Sequence, residues 1–90
     1  RSTQAKTLFP YTTLFRSGAH AYWNKKYDLA FKNFKKACEL GSGEGCAYLG
    51  MAYEDGISVK KDPSKAADYY QKACKLGSKQ SCENYSKLKK

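Results

Sequence analysis

Four cysteines are the residues of this 90-residue chain whose spacing most directly suggests chemistry. Cys38 and Cys46 are eight positions apart, and Cys74 and Cys82 repeat this separation. A Leu-Gly-Ser turn lies between the members of each pair, so the two thiols would come from neighbouring antiparallel helices and reach disulfide distance. Closing such a short loop stabilises a fold by about 2 to 3 kcal/mol. The favoured interpretation is two disulfides, Cys38 with Cys46 and Cys74 with Cys82.

Two other roles for the cysteines stay open. A structural zinc site usually draws on closely spaced Cys-x-x-Cys pairs or on histidines, and the single histidine of the chain is His20. Reduced cysteines also pack well as small core side chains. Disulfides persist in oxidising compartments, so the favoured interpretation predicts a secreted or periplasmic protein. No metal ion and no other cofactor is expected.

A second chemical pattern involves serine and lysine. Ser58 with Lys61, and Ser86 with Lys89, have the Ser-x-x-Lys spacing of the penicillin-recognising serine enzymes. A chain this rich in lysine is expected to contain such a match by chance. The companion motifs Ser-Asp-Asn and Lys-Thr-Gly are absent from the sequence, and Ser58 is predicted to lie in an exposed loop with no base beside it. We therefore expect no catalytic residue.

The cysteines belong to a longer internal repeat. Residues 30–46 return as residues 66–82, with eight of seventeen positions identical. A period of 36 residues is typical of helical-hairpin solenoids, whose stacked units usually offer a surface for binding. The predicted fold class is all-α, an α-α superhelix of helical hairpins that disulfides staple together.

Apolar residues three and four positions apart predict five helices, each with one buried stripe. The first is the stump of a helix, and the last has the weak apolar stripe of a capping helix. In order, the predicted helices span residues 18–24, 27–40, 44–54, 63–76 and 79–88.

Helix-terminus signals support these bounds. Ser42 and Asp62 are predicted N-cap residues, Pro63 occupies a first helical position, and Gly41 and Gly77 follow helix ends. The predicted inward-facing residues of the second and fourth helices are Tyr27, Ala30, Phe31, Phe34, Ala37, Cys38, Leu40, Ala66, Tyr69, Tyr70, Ala73, Cys74 and Leu76.

The first seventeen residues look foreign to the repeat. Residues 7–17, TLFPYTTLFRS, match an in-frame translation of a common sequencing-library adapter, and residues 1–6 fit the upstream part of the same oligonucleotide. Such a segment says nothing about function. We predict that residues 1–17 are non-native and unstructured, with no packing partners selected for them.

Residues 18–90 contain fourteen lysines, no arginine and eight acidic residues, which gives a net charge of +6. Base edges and bidentate phosphate contacts are read mainly by arginine, so specific nucleic-acid binding is not expected. No stretch approaches the eighteen or so apolar residues that a membrane-spanning helix needs.

The repeat carries a recognisable family pattern. It resembles the Sel-one-like repeat, a relative of the tetratricopeptide repeat, and its paired cysteines resemble the Helicobacter cysteine-rich protein branch. The first unit departs from the pattern, because the interval from Ala21 to Ala30 is shorter than that from Ala52 to Ala66. The residues that carry the resemblance are Leu49, Gly50, Met51, Ala52, Tyr53, Gly56, Val59, Asp62, Lys65, Ala66, Tyr69, Tyr70, Lys72, Ala73, Cys74, Leu76, Gly77 and Cys82.

The resemblance implies a solenoid that binds a protein or peptide partner through the concave face made by the first helix of each hairpin. Tyr48, Met51, Ala52 and Glu54 are the candidate residues of this face and are predicted to be exposed on it. Members of the branch are often described as β-lactamases, which implies an alternative function of β-lactam binding or weak hydrolysis. A third hypothesis gives these units a purely structural role as a C-terminal cap.

The expected organisation is a monomeric fragment of a longer solenoid. It comprises a truncated unit over residues 18–41, a full unit over residues 42–77 and a capping helix over residues 78–90.

Overall fold

The structure is a computed structural model that describes residues 10–89, with side chains described from Thr12 to Leu88. Each helix packs against the next along the chain, and no strand occurs in these residues. The prediction of an all-α, disulfide-stapled helical repeat is confirmed. The helices are α1 (Pro10–Trp23), α2 (Tyr27–Glu39), α3 (Gly43–Asp55), α4 (Pro63–Lys75) and α5 (Lys79–Lys89).

Local capping explains where α3 and α4 begin. The side chain of Ser42 accepts a 2.9 Å hydrogen bond from the backbone N–H of Gly45. Asp62 Oδ1 accepts from the backbone N–H groups of Ser64 and Lys65 at 3.1 and 3.2 Å. These bonds satisfy N–H groups that have no partner inside the first helical turn. Both N-caps are those that the sequence predicts.

The first helix is longer than predicted. α1 begins at Pro10, so residues 10–17 are helical and the prediction that they are unstructured is wrong. Phe15 is partly buried, and its ring centroid lies 5.7 Å from those of both Phe34 and Tyr48. An aromatic residue on the inner side of α1 therefore meets α2 and α3. Residues 1–9 lie outside the described part of the chain, and the foreign origin of residues 1–17 stays a prediction.

The core lies between consecutive helices and combines alanines with a few large residues. Phe34 and Tyr70, which occupy the same repeat position on α2 and α4, are only 3% and 1% exposed. Small side chains at the remaining contact positions allow the helices to approach closely. The other buried apolar residues are Ala21, Ala30, Ala37, Cys38, Cys46, Leu49, Ala52, Ala66 and Ala73.

Two leucines and Tyr27 do not join this core. Tyr27, the first residue of α2, was predicted to face inward but is 38% exposed. Leu40 and Leu76 were predicted to face inward, but they are 47% and 44% exposed. Each directly follows a helix end, with ψ near 0°, and the next residue is a glycine with φ of +107° or +108°. The chain leaves its helical path at these residues, so the helical spacing that placed them inward no longer applies. The prediction was wrong for this reason.

Candidate functional site

Both predicted cysteine pairs are disulfides in the structure. Cys38 of α2 is bonded to Cys46 of α3, with their Cα atoms 4.6 Å apart. Cys74 of α4 is bonded to Cys82 of α5, with a Cα separation of 4.7 Å. Within the described residues no free cysteine remains. Each disulfide joins the second helix of one hairpin to the helix that follows it, so the bonds fix the stacking of consecutive units.

The four candidate binding residues lie on α3 and differ in their exposure to solvent. Tyr48 and Met51 are partly exposed, as a contact surface requires. Ala52 is only 7% exposed, and its predicted exposure is wrong. Both α2 and α4 pack against α3, so α3 buries residues that lie outside a single apolar stripe.

Tyr48 belongs to an aromatic cluster that links three helices. Its ring stacks on Phe34 of α2 at a centroid distance of 4.7 Å and an interplanar angle of 9°. Tyr22 of α1 lies 6.1 Å from Tyr48, and Phe15 approaches it from the same helix. Sequence reasoning singled out Tyr48 but missed its neighbours on α1. Tyr22 could have been identified from the sequence because it directly follows Ala21, a core residue of the first unit.

Glu54 is partly buried and engaged with the neighbouring helix. The hydroxyl of Tyr70 donates a 2.7 Å hydrogen bond to Glu54 Oε1. Burial raises the pKa of Tyr70 well above its usual range, and the hydrogen bond to Glu54 and the negative charges of Glu54 and Asp55 raise it further. Phe34 replaces Tyr70 in the earlier unit and has no hydroxyl, so this polar link is specific to the second unit.

A second aromatic cluster, which the sequence analysis missed, joins α2, α3 and α4. The rings of Tyr53 and Tyr69 stack at 5.5 Å, and Phe31 meets Tyr53 edge-on at 5.8 Å. Lys65 Nζ lies 5.5 Å from the centroid of the Tyr53 ring, within the range of a cation–π contact. Burial, followed by the nearby Tyr53 and acidic side chains, raises the pKa of Tyr69. This cluster explains why Tyr69 is only partly exposed.

Ser58 lies in an open groove at the hairpin-loop end of the molecule. Its hydroxyl donates a 2.8 Å hydrogen bond to Asp28 Oδ1, and both residues are exposed. A carboxylate can act as a base, so the prediction that no base lies beside Ser58 is wrong. An exposed carboxylate is a weaker general base than the histidine or desolvated lysine of serine enzymes. The groove has a volume of about 730 Å³ and is lined by Lys25, Lys26, Tyr27, Asp28, Leu29, Gly56, Ile57 and Ser58.

The stacked hairpins and the disulfides between them define a helical repeat protein. The Sel1 repeat pattern matches residues 19–42 and 43–78. The chain therefore belongs to the Sel1 repeat family, as its own residues had suggested.

About half of this chain is similar in sequence to parts of three Helicobacter pylori proteins. The protein named Beta-lactamase HcpA is 49% identical over 47 residues, which cover 50% of this chain and 19% of that protein. Putative beta-lactamase HcpE is 44% identical over 45 residues, 50% of this chain and 13% of its own length. Putative beta-lactamase HcpC is 43% identical over 44 residues, 49% and 15% respectively. The chain thus spans less than a fifth of the curated relatives it matches.

Across residues 10–89, none of the helices combines the length and apolar character needed to cross a bilayer.

Proposed function

We propose that this chain is a protein-binding segment of a secreted or periplasmic solenoid, and that its partner is a protein or peptide. The binding surface is the face formed by the first helices of consecutive units, α1 and α3, with α5 continuing it. We call this surface the concave face. Its centre consists of Tyr22, Tyr48 and Met51.

The contact between Tyr22 and Tyr48 carries this proposal. The two side chains come from successive first helices, lie 6.1 Å apart and are both partly exposed. Aromatic residues and methionine are enriched where proteins bind one another, and Met51 lies one helical turn beyond Tyr48. A partly exposed aromatic surface held in place by the stacked Phe34 is a preorganised site for an apolar side chain of a partner.

The proposed compartment rests on the disulfides. Two disulfides in so short a chain suit an oxidising environment and would be reduced in most cytosols. The similarity to the Helicobacter cysteine-rich proteins agrees with this proposal.

Site-specific photo-crosslinking tests the binding face. A photoreactive residue replaces either Met51 on the concave face or exposed Lys72 on α4, and the oxidised protein is mixed with an extracytoplasmic fraction. We expect a discrete adduct from position 51 that is absent from position 72. An adduct from position 72 alone would place the interface on the other side of the solenoid and contradict the proposal.

A second candidate function is β-lactam binding or weak hydrolysis. It is favoured by the hydrogen bond between Ser58 and Asp28 in the open groove, together with the name of the relative HcpA. The third candidate, a purely structural cap, would give α5 no role beyond covering the apolar side of α4. Neither candidate explains the partly exposed aromatic contact between α1 and α3.

A further inference from the structure

The two disulfides differ in their exposure to solvent. Cys38 and Cys46 are 1% and 0% exposed, whereas Cys74 and Cys82 are both partly exposed. The end of α4 lies across the beginning of α3, because a Cβ placed on Gly43 would be 3.2 Å from the Cβ of Leu76. Cys46, one helical turn further along α3, is therefore enclosed by its neighbours.

The helix that follows the Cys74–Cys82 disulfide buries few of its side chains completely. α5 packs mainly against α4, and Ser81 is its one fully buried residue among those whose side chains are described. Tyr85 and Leu88 are only partly buried. With 11 residues, α5 is shorter than the about 12 to 15 residues at which an isolated helix becomes even marginally stable in water. Its helical state thus depends on α4 and on the bond between Cys74 and Cys82.

From these two observations we propose that the Cys74–Cys82 disulfide is a redox-sensitive clasp, which an external dithiol opens while Cys38–Cys46 stays closed. A thiolate of the dithiol attacks the sulfur atom of Cys74 or of Cys82, forms a mixed disulfide and expels the other cysteine as a thiolate. The second thiol of the dithiol then displaces the remaining protein sulfur. Two electrons pass to the protein, which gains two cysteine thiols, and the dithiol is left as a cyclic disulfide.

Opening the clasp releases α5 from α4. Closing the short loop is worth about 2 to 3 kcal/mol, and Ser81, the fully buried residue among the described side chains of α5, is small and polar. Release removes one helix from the concave face and uncovers the side of α4 that α5 shields. The proposal is independent of the partner that the face binds.

Partial reduction of the oxidised full chain tests the clasp. Samples at increasing dithiothreitol concentration are quenched with N-ethylmaleimide, the labelled cysteines are identified by peptide mapping, and far-ultraviolet circular dichroism is recorded in parallel. We expect Cys74 and Cys82 to be labelled at least about tenfold faster than Cys38 and Cys46, because a thiolate must reach the sulfur it attacks. The helical signal should fall by the equivalent of the 11 residues of α5.

Two results would overturn the proposal. Labelling of all four cysteines in one step would show that the buried disulfide gives no selective protection. Selective labelling of Cys74 and Cys82 without loss of helix would show that α5 stays docked without its bond. As a control, the Cys74→Ser/Cys82→Ser variant should lack the α5 signal without any dithiol, and the order of labelling in the unaltered chain decides the question even if that variant fails to fold.

Discussion

The aromatic ring of Tyr70 lies directly against the backbone of Gly50. A Cβ atom on residue 50 would be only 2.7 Å from Cδ1 and Cε1 of the Tyr70 ring, which is closer than real Cβ contacts allow. The same relationship recurs in the preceding hairpin, where a Cβ on Gly18 would be 2.8 Å from Cε1 of Phe34. In both hairpins a glycine on the first helix therefore makes room for the aromatic ring of the second.

This close approach predicts that Gly50→Ala destabilises the chain. Alanine is the better helix former by up to about 1 kcal/mol, but the added methyl group must displace a buried ring at a cost of about 1 to 3 kcal/mol. We expect a net loss of about 1 to 2 kcal/mol in urea unfolding. Gly43→Ala is the comparison, since its Cβ would lie 3.2 Å from the Cβ and 3.3 Å from the backbone oxygen of Leu76, a milder approach than 2.7 Å, and it should cost less than Gly50→Ala. Equal losses in the two variants would contradict the packing of Tyr70 on Gly50.

The aromatic residues of the second helices should differ in their contributions to stability. Phe34 is 3% exposed and stacks on Tyr48, so we expect Phe34→Ala to cost about 3 to 5 kcal/mol and to unfold most of the chain. Tyr69 is partly exposed and stacks on Tyr53, so Tyr69→Ala should cost less than about 1.5 kcal/mol. Thermal melts followed by circular dichroism compare the two. A Tyr69→Ala variant as damaged as Phe34→Ala would place the core on a different side of α4.

Much of this architecture was predictable from local sequence signals. The bounds of α2 to α5 agree with the predicted ranges to within one residue, because Ser42, Asp62 and Pro63 begin helices and Gly41 and Gly77 follow their ends. The equal spacing of the cysteines across equivalent turns likewise indicated which thiols meet.

The features that escaped prediction depend on how helices pack against one another. The hydrogen bond from Tyr70 to Glu54 joins residues 16 positions apart on different helices, and no local pattern encodes it. Ala52 is buried because α3 has neighbours on more than one side. The start of α1 at Pro10 was not predicted because residues 1–17 were set aside as foreign. Whether a segment forms a helix depends on its residues and not on the origin of its coding sequence.

The buried hydroxyl of Tyr70 predicts a dependence of stability on alkaline pH. An unfolded tyrosine ionises near pH 10, whereas the folded pKa of Tyr70 is raised by burial and by Glu54. Above about pH 10 the unfolded chain therefore loses a proton that the folded chain keeps. The free energy of unfolding consequently falls as the pH rises towards the folded pKa of Tyr70. The slope from one such group is about 1.4 kcal/mol per pH unit.

The Tyr70→Phe variant isolates this effect. Near neutral pH it should lose about 1 to 2 kcal/mol, because the hydrogen bond to Glu54 is absent. Above pH 10 its free energy of unfolding should fall less steeply than that of the unaltered chain. Tyr27→Phe, at a tyrosine that is 38% exposed, is the control and should keep the original slope. Identical alkaline slopes for the unaltered chain and Tyr70→Phe would show that Tyr70 is not protected from ionisation.

The groove around Ser58 predicts a negative result with a β-lactam. The hydroxyl of Ser58 donates its hydrogen bond to Asp28, and an exposed carboxylate is a weak general base. The companion motifs of serine β-lactamases are absent from the sequence. We expect no turnover of a chromogenic cephalosporin above the uncatalysed rate. The Ser58→Ala variant should behave in the same way. Turnover that disappears in Ser58→Ala would instead support the hydrolase alternative.

The central claim is that disulfides between consecutive helical units hold this repeat together. Non-reducing peptide mapping of protein folded under oxidising conditions tests it most directly. The account predicts two linked peptide pairs, Cys38 with Cys46 and Cys74 with Cys82, in agreement with Cα separations of 4.6 and 4.7 Å. A link between Cys46 and Cys74, or four free thiols, would contradict it.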